Sequence, residues 1–475
     1  MRRKAYDDMV RWKNKSDRRA LLLTGCRQTG KTYLMKKFAK ENYKHHLYCD
    51  LEEQRNLHDI FENSNLSAVE IIERLAFLTN FKLVPGETVI LLDEIQACIP
   101  AYSALRNLSD QEDYDVIASG SLLGVKIEDL QRRTPMGYVE YLRILPMDFE
   151  EFLWAMKIPE EHIGYLRGCI QNLKPIDKGI CMKYNDLYRK YIVVGGMPQS
   201  VKEFVDSHIY ANSKKVLKDI VKVVGDDFEK YSNGKERIIA EYCLKSIPSQ
   251  LAMENKKFKY ARISKRKGGS RFYGSYLLWL LRAGLIEYCY NLEQPVAPLS
   301  PRIRPESFKI FMSDTGLMMT LMEDGSVENI VYKDPFANNG AVMENAVACA
   351  LVANGYDIHF YERKDSSLEV DFTINMGGKV VVIEVKSGRD KRAKSLNTLV
   401  KERSVDRAIK ISDGNVFMDE NGIENYPLFG PCFFAKSDSF DDFEETDLDE
   451  LLKMTEEVLR RMDDERRDQE NGKTV

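Results

Sequence analysis

Residues 25–32, GCRQTGKT, set two glycines five positions apart and follow the second at once with a lysine and a threonine. The stretch lies between a leucine-rich run, ALLLT, and a segment with helical spacing, YLMKKFAK. Glycines so placed let backbone N–H groups turn inward around an anion, and the start of the next helix adds the positive end of its dipole. A lysine there reaches the outer phosphates of a nucleoside triphosphate, and a threonine hydroxyl ligates Mg²⁺. The chemistry is phosphate binding by Gly25, Cys26, Arg27, Gln28, Thr29, Gly30, Lys31 and Thr32, with ATP and Mg²⁺ as the expected ligands; the plainer alternative is a glycine turn without a nucleotide.

Two further segments complete such a site. In VILLDEIQ four apolar residues run into Asp93 and Glu94, so a buried strand would deliver one carboxylate to the metal and a second to an attacking water. The second acid favours hydrolysis over phosphoryl transfer to a small molecule. DVIASGS ends in Ser119 and Ser121, which either touch the γ-phosphate or simply turn the chain. Arg132, Arg133 and Arg143 are candidates for an arginine finger or solvated charges.

A second constellation lies far downstream, in LEVDFTINMGGKVVVIEVKSG. Gly377-Gly378 reads as a two-residue hairpin turn, which sets Asp371 opposite Glu384 and Glu369 opposite Lys386, all on one face, with Val370, Phe372, Ile374, Val381, Ile383 and Val385 on the other. The reading is of one apolar face and one acidic face. Like charges set opposite each other destabilise a strand pair, and a divalent cation, Mg²⁺ or Mn²⁺, would relieve this, with Lys386 placed to orient water or stabilise a developing charge. Glu344, in the helical segment GAVMENAVACALVANG, is a further acid for the set. The alternative is an inert sheet face on which Lys386 pairs with Glu369.

Between these lies KKFKYARISKRKGGSR, eight Lys or Arg in sixteen residues without an acid: Lys256, Lys257, Lys259, Arg262, Lys265, Arg266, Lys267 and Arg271. Such a run either neutralises nucleic-acid phosphates or forms a solvated loop, and Phe258, Tyr260, Phe272 and Tyr273 beside it either stack on bases or pack.

The elements that must position these residues follow from periodicity. ALLLTG, HLYCDL, TVILLDEI and DVIASGS alternate with helical stretches across 1–155, the pattern of βαβ units around a parallel sheet. Residues 156–232 read as a helical lid or linker, with a break at GGMP, and 233–295 as short helices followed by a strand, the order of a winged helix. Prolines 295, 298, 301 and 305 mark a boundary before an α/β region over 306–436. The fold class is α/β and multidomain. At 475 residues the chain exceeds one ordinary core. No apolar run is long enough for a membrane span, the start lacks the apolar stretch of a signal peptide, and nine cysteines show no CxxC pair, so the expectation is a cytoplasmic protein with buried thiols. The net charge of −4 divides unevenly: residues 437–475 hold fifteen acids against six bases, an acidic tail suited to disorder or to a protein partner. DNA, a partner held through the tail and an oligomer are the partners left open.

With these residues in place, the chain resembles the prokaryotic AAA-type ATPases, related to the archaeal ATPases and STAND switches, that carry a C-terminal domain of unknown function. The resemblance rests on LLLTGCRQTGKT, VILLDEIQ, ASGSLL, LPMDFEEFL, VVGGMPQSV, FKIFMSDTGLM, GAVMENAV, EVDFTI and VVIEVKSG. It implies an ATPase domain, a winged-helix part and a C-terminal fold similar to PD-(D/E)xK restriction-type nucleases, in whose pattern Asp371, Glu384 and Lys386 match the D…ExK core and Glu344 the helix glutamate. The chain departs from the pattern at Gly137-Tyr138, where relatives commonly carry Gly-Arg. The function this implies is ATP binding and hydrolysis coupled to a DNA-associated, nuclease-like domain; the alternative is a nucleotide-dependent switch or scaffold that cuts nothing.

Overall fold

The computed structural model describes residues 1–62, 66–121, 138–231, 234–263, 269–322, 330, 340–364, 368–386, 393–402 and 404–437, with backbone alone within 227–237 and at 271. Arg132, Arg133, Gly137, Lys265, Arg266, Lys267 and the tail from Asp438 lie outside the described residues, as does the side chain of Arg271.

Five strands form the N-terminal sheet: β1 (Ala20–Thr24), β2 (His45–Asp50), β3 (Thr88–Asp93), β4 (Asp115–Ser119) and β5 (Val139–Arg143), ordered β2-β3-β4-β1-β5 and parallel throughout. β1 and β3 are buried along their whole length because helices cover both faces, which is why their sequences run apolar without alternation. On one face Leu21, Leu23, Val89 and Leu91 pack with Met9 and Trp12 of the helix Lys4–Lys13 and Phe38 of the helix Lys31–Asn42. On the other, Leu22, Ile90 and Leu92 pack with Ile72 and Leu75 of Ala68–Leu78 and Leu105 of Ile99–Ser109. Leu23 pairs with Ser119 and Leu92 with Ala118, so the loop after β1, the acids ending β3 and the serine ending β4 meet at the carboxyl edge, where ligands of open parallel sheets bind.

The expected run of helices follows: Phe149–Ala155, Glu160–Gln171, Lys178–Val194, Pro198–Ser207, Tyr210–Tyr231, Gly234–Leu251 and Ser270–Arg282. The first is a short helix held by charge. Asp148 caps it by accepting from Glu151 N at 2.9 Å, Glu151 accepts in return from Asp148 N at 3.2 Å, and the chain's start closes on it through Arg3 to Glu151 at 3.0 Å and Lys4 to Asp148 and Glu150, both at 2.6 Å. The acids of DFEE are thus structural.

An eight-stranded mixed sheet makes up the C-terminal half: β6 (Ile286–Leu292), β7 (Ile303–Met312), β8 (His359–Glu362), β9 (Glu369–Met376), β10 (Lys379–Val385), β11 (Arg407–Ser412), β12 (Phe417–Met418) and β13 (Glu424–Pro427), ordered β12-β13-β11-β10-β9-β8-β6-β7. β6 pairs antiparallel with β7 and parallel with β8, so the proline-rich loop near 295–305 connects two strands of one sheet. Gly377 and Gly378 turn the β9–β10 hairpin with φ of 58° and 78°, as a two-residue turn with both central residues left-handed requires. The register is the one the turn dictates, from Lys379 opposite Met376 to Ile383 opposite Phe372.

The faces are not as expected. Phe372, Ile374, Val381 and Ile383 fill the larger core, but Val380 and Val382 also pack, with Leu396 and Leu399 of the helix Lys394–Lys401, so both faces of the hairpin are covered. A shift in the β8–β9 register places Val370 with this second core. The acids are confined to the end of the hairpin away from its turn. The larger core runs without a break from Cys26 through the helices Phe149–Ala155 and Lys178–Val194 to the C-terminal sheet and Phe429. No helix among the described residues is long and apolar enough to cross a membrane.

Candidate functional site

The loop after β1 is shaped by its two glycines. Gly25 has φ 131° and lies so close to the strand-end loop that an added Cβ would stand 2.3 Å from Ile144 O; Gly30, at φ 91°, is the residue from which the helix Lys31–Asn42 departs, with no side chain capping it. The N–H groups of that first helical turn have no helical carbonyl to bond and form an anion site. Lys31 is buried, its Nζ donating to Gly25 O and Cys26 O, both at 2.9 Å, and burial lowers its pKa. Thr29 Oγ1 donates to Cys26 O at 2.8 Å, and Arg3, which sequence reasoning missed, donates to Thr29 O at 2.8 Å. A rigid N–H cradle carrying an internal ammonium fits a phosphate chain.

Asp93 ends β3 almost fully buried, accepting from Ser119 Oγ and, at 2.9 Å, from Tyr48 Oη. Glu94 takes a left-handed backbone, φ 51°, which turns it away from the strand line, and its carboxylate accepts from Gln96 Nε2. Burial pushes the Glu94 pKa up, with the Gln96 hydrogen bond opposing. Ser121 lies 3.5 Å from Gln96 Nε2. The structure therefore brings Lys31, Thr32, Asp93, Glu94, Ser119 and Ser121 to one sheet edge and adds Tyr48 and Gln96, whose neutral types gave no signal in the sequence. Thr32 and Asp93 have the oxygen chemistry to hold Mg²⁺. Arg143, on β5, is ion-paired to Glu287 of β6, and Tyr138 receives Arg106, its guanidinium 4.1 Å from the ring centroid.

The C-terminal half reaches this loop. Gly284, at φ 67°, would bring a Cβ within 3.1 Å of Cys26 N, and Pro198 Cγ would be 3.8 Å from one on Gly30. Behind Pro198, Gly195 and Gly196 cross Gly316 and the loop before Phe149 so tightly that a Cβ on Gly196 would meet Met147 O at 2.0 Å. Asp314 is buried in this crossing and accepts from Gly196 N at 2.5 Å and Leu317 N at 2.8 Å. The segments GGMP and SDTG thus join the phosphate loop to the second sheet.

At the hairpin, Asp371 accepts from Val385 N at 2.8 Å, and Lys386 pairs with Glu384 rather than Glu369. Glu369 instead receives buried Lys309 at 2.7 Å, itself 4.6 Å from the Phe360 ring centroid. Glu344, on the helix Gly340–Ala353, is ion-paired to Lys256, which also lies 3.6 Å from Asp371. Burial first, and Asp371 second, raise the Glu344 pKa to about 7. Among the described residues no three His, Cys, Asp or Glu side chains come together to hold a metal ion, and at the expected set Lys256 stands between Glu344 and Asp371. Lys309, a lone charge within the apolar run FKIFM, was legible by the same reasoning that singled out Asp371.

Of the basic run, Lys256 and Lys257 are ion-paired, Lys257 to Glu362, while Lys259 and Arg262 are exposed. Phe258 stacks on Phe308, Tyr260 and Tyr273 pack, and Phe272 is exposed. All nine cysteines are free thiols, and eight are buried.

Comparison with known proteins agrees at the N-terminus. Residues 17–153 match a family described as an AAA domain, and residues 185–328 and 339–428 match two domains of unknown function, DUF8612 and DUF4143. The N-terminal part is a parallel-sheet P-loop NTPase-like fold similar to AAA domains. An uncharacterized protein of Methanocaldococcus jannaschii is 24% identical over 440 residues, 86% of this chain and 83% of that one. Among solved structures, a Walker-type ATPase of Pyrococcus abyssi is similar over 68% of this chain and 95% of its own, at 14% identity and TM-score 0.41. A STAND protein of Pyrococcus horikoshii with a tetratricopeptide repeat sensor covers 74% of this chain and 49% of its own, at 12% identity and TM-score 0.27.

Proposed function

We propose that the protein binds ATP with Mg²⁺ at the loop 25–32 and hydrolyses it, and that its C-terminal half reads the state of that loop. The observation that carries the reading is the meeting of the glycine loop, the buried Lys31 and the Asp93-Glu94 pair at the carboxyl edge of one parallel sheet. Thr32 and Asp93 would hold Mg²⁺, Lys31 would neutralise the outer phosphates, and Glu94, its pKa raised by burial, would orient and deprotonate the attacking water. Ser119 holds the Asp93 carboxylate in place. Gly284 against Cys26 and Pro198 beside Gly30 are the contacts through which a change in the loop would be felt beyond it.

The test is phosphate release from ATP by wild type, Lys31→Ala and Glu94→Gln, with nucleotide binding followed separately. Lys31→Ala should lose binding, and Glu94→Gln should bind but not turn over; equal turnover by all three would discard the reading.

For the C-terminal half the reading is a nucleic-acid-associated, nuclease-like domain governed by nucleotide, supported by the helices and β6–β7 hairpin in winged-helix order and by Asp371, Glu384 and Lys386 at one end of β9 and β10. The second reading, a switch that cuts nothing, is favoured by one observation: Lys256 sits between Glu344 and Asp371. Plasmid incubated with the protein and Mg²⁺ or Mn²⁺ separates them, since cleavage abolished by Asp371→Asn supports the first and intact plasmid the second.

A further inference from the structure

The acids at the hairpin end and the start of the basic run are one another's counter-ions. Glu362 and Glu369 stand directly opposite across β8 and β9, a like-charge pairing that would destabilise the sheet if left alone. Glu362 is ion-paired to Lys257, and Glu369 takes Lys309. Next to them Glu344 and Asp371 share Lys256. Lys256 and Lys257 come from the connection between the helices Gly234–Leu251 and Ser270–Arg282, pinned at its middle where Phe258 N donates to Phe308 O at 2.8 Å. Of the basic residues described with their side chains, the first two therefore point into the sheet, and Lys259 and Arg262 point out.

We propose that this arrangement is an autoinhibitory latch: the carboxylates Glu344, Asp371 and Glu362 hold Lys256 and Lys257 away from the phosphate backbone of nucleic acid, and the face formed by Lys256, Lys257, Lys259 and Arg262 reaches full phosphate affinity only when those pairs open. The proposal rests on the nucleic-acid reading above. Each ammonium engaged by a carboxylate is one phosphate contact fewer, and the carboxylates repel a phosphate chain approaching the same edge. Lys257 with Glu362 is the pair to open first, because Glu344, 3% exposed, is buried more deeply than Glu362 at 9%, and breaking its pair with Lys256 leaves the more deeply buried charge.

The experiment measures binding of a fluorescent duplex DNA of arbitrary sequence to the full chain across a series of salt concentrations. The proteins are wild type, Glu362→Gln, Glu362→Gln with Glu344→Gln and Asp371→Asn, and, as a charge control, Glu402→Gln, whose carboxylate pairs with Arg363. The released variants should bind about 10-fold tighter, with log K falling more steeply against log salt by about one for each lysine freed, whereas the control should change neither. Adding Lys257→Met to Glu362→Gln should reverse the gain. Wild type and released variants that bind with the same affinity and slope would overturn the latch alone. No binding by any of them, with thermal melts showing folded protein, would overturn the nucleic-acid reading and the latch with it.

Discussion

On the proposed reading Glu94 and Lys31 divide the work at the loop 25–32, and substitutions separate them. Lys31 is a buried cation whose two hydrogen-bond acceptors are loop carbonyls, so it is already placed where phosphate oxygens would arrive. Lys31→Ala should weaken ATP binding at least about 10-fold, read by titration with a fluorescent nucleotide, because a charge-assisted contact to phosphate contributes about 1.5 to 3 kcal/mol. Glu94→Gln should leave that affinity within about 3-fold and lower turnover by about 100- to 1000-fold, the range expected when a proton acceptor is lost. At this scale the sequence was explicit: the types and spacing of 25–32, Asp93 and Glu94 pointed to phosphate and metal chemistry, and the fold brings them to one sheet edge. The sequence was silent on Tyr48, Gln96 and Arg3, whose roles come from which strand lies beside which and from the chain's start folding back on Glu151.

The same contrast holds for elements. The Gly377-Gly378 turn and its register followed from local rules, since two left-handed residues permit one short turn and the pleat then fixes every pairing. The hairpin's faces did not follow, although a signal was present: Val380 to Ile383 are apolar at every position, as in a strand covered on both sides. The meaning of GGMP and SDTG was invisible because it is a crossing of two segments over a hundred residues apart. The packing of GGMP against the loop before Phe149 predicts that Gly196→Ala, whose Cβ would stand 2.0 Å from Met147 O, destabilises the protein by at least about 2 kcal/mol, measured by chemical denaturation. The crossing also predicts a pH dependence. Burial raises Asp314 to about 6 from an ordinary 3.8, although N–H donors from Gly196, Leu317 and Gly316 pull the other way. A carboxyl raised on folding binds its proton more tightly in the folded state, so its charge costs stability above pH 6, and that cost disappears as pH falls toward 4. Two units correspond to on the order of 3 kcal/mol. The stability of wild type relative to Asp314→Asn should therefore rise between pH 7.5 and 5; a difference that stays constant would show that Asp314 does not titrate there.

Across the whole molecule the sequence divided the chain into consecutive units, and the structure shows how far they share one interior. The proline-rich loop read as a boundary joins neighbouring strands, and a single core runs from Cys26 in the phosphate loop to Phe429 near the end of the described chain. Hydrophobic patterning reports that a segment is buried and not what it is buried against, so this continuity had no sequence signal. Its sharpest consequence lies at Gly284, where the helix Ser270–Arg282 ends against the loop 25–32. The residue has φ 67°, and a Cβ would come within 3.1 Å of Cys26 N, close enough that loop or helix end must give way. Gly284→Ala should thus weaken ATP binding by about 3- to 10-fold although the residue lies far along the chain from the loop, in addition to the roughly 1 kcal/mol of strain that any side chain incurs at such a backbone. Gly422→Ala is the matched control, because Gly422 has φ 77° with nothing within 4 Å of where its Cβ would stand. It should lose comparable stability and keep its ATP affinity. If both variants bind ATP like wild type, the contact at Cys26 is packing without communication.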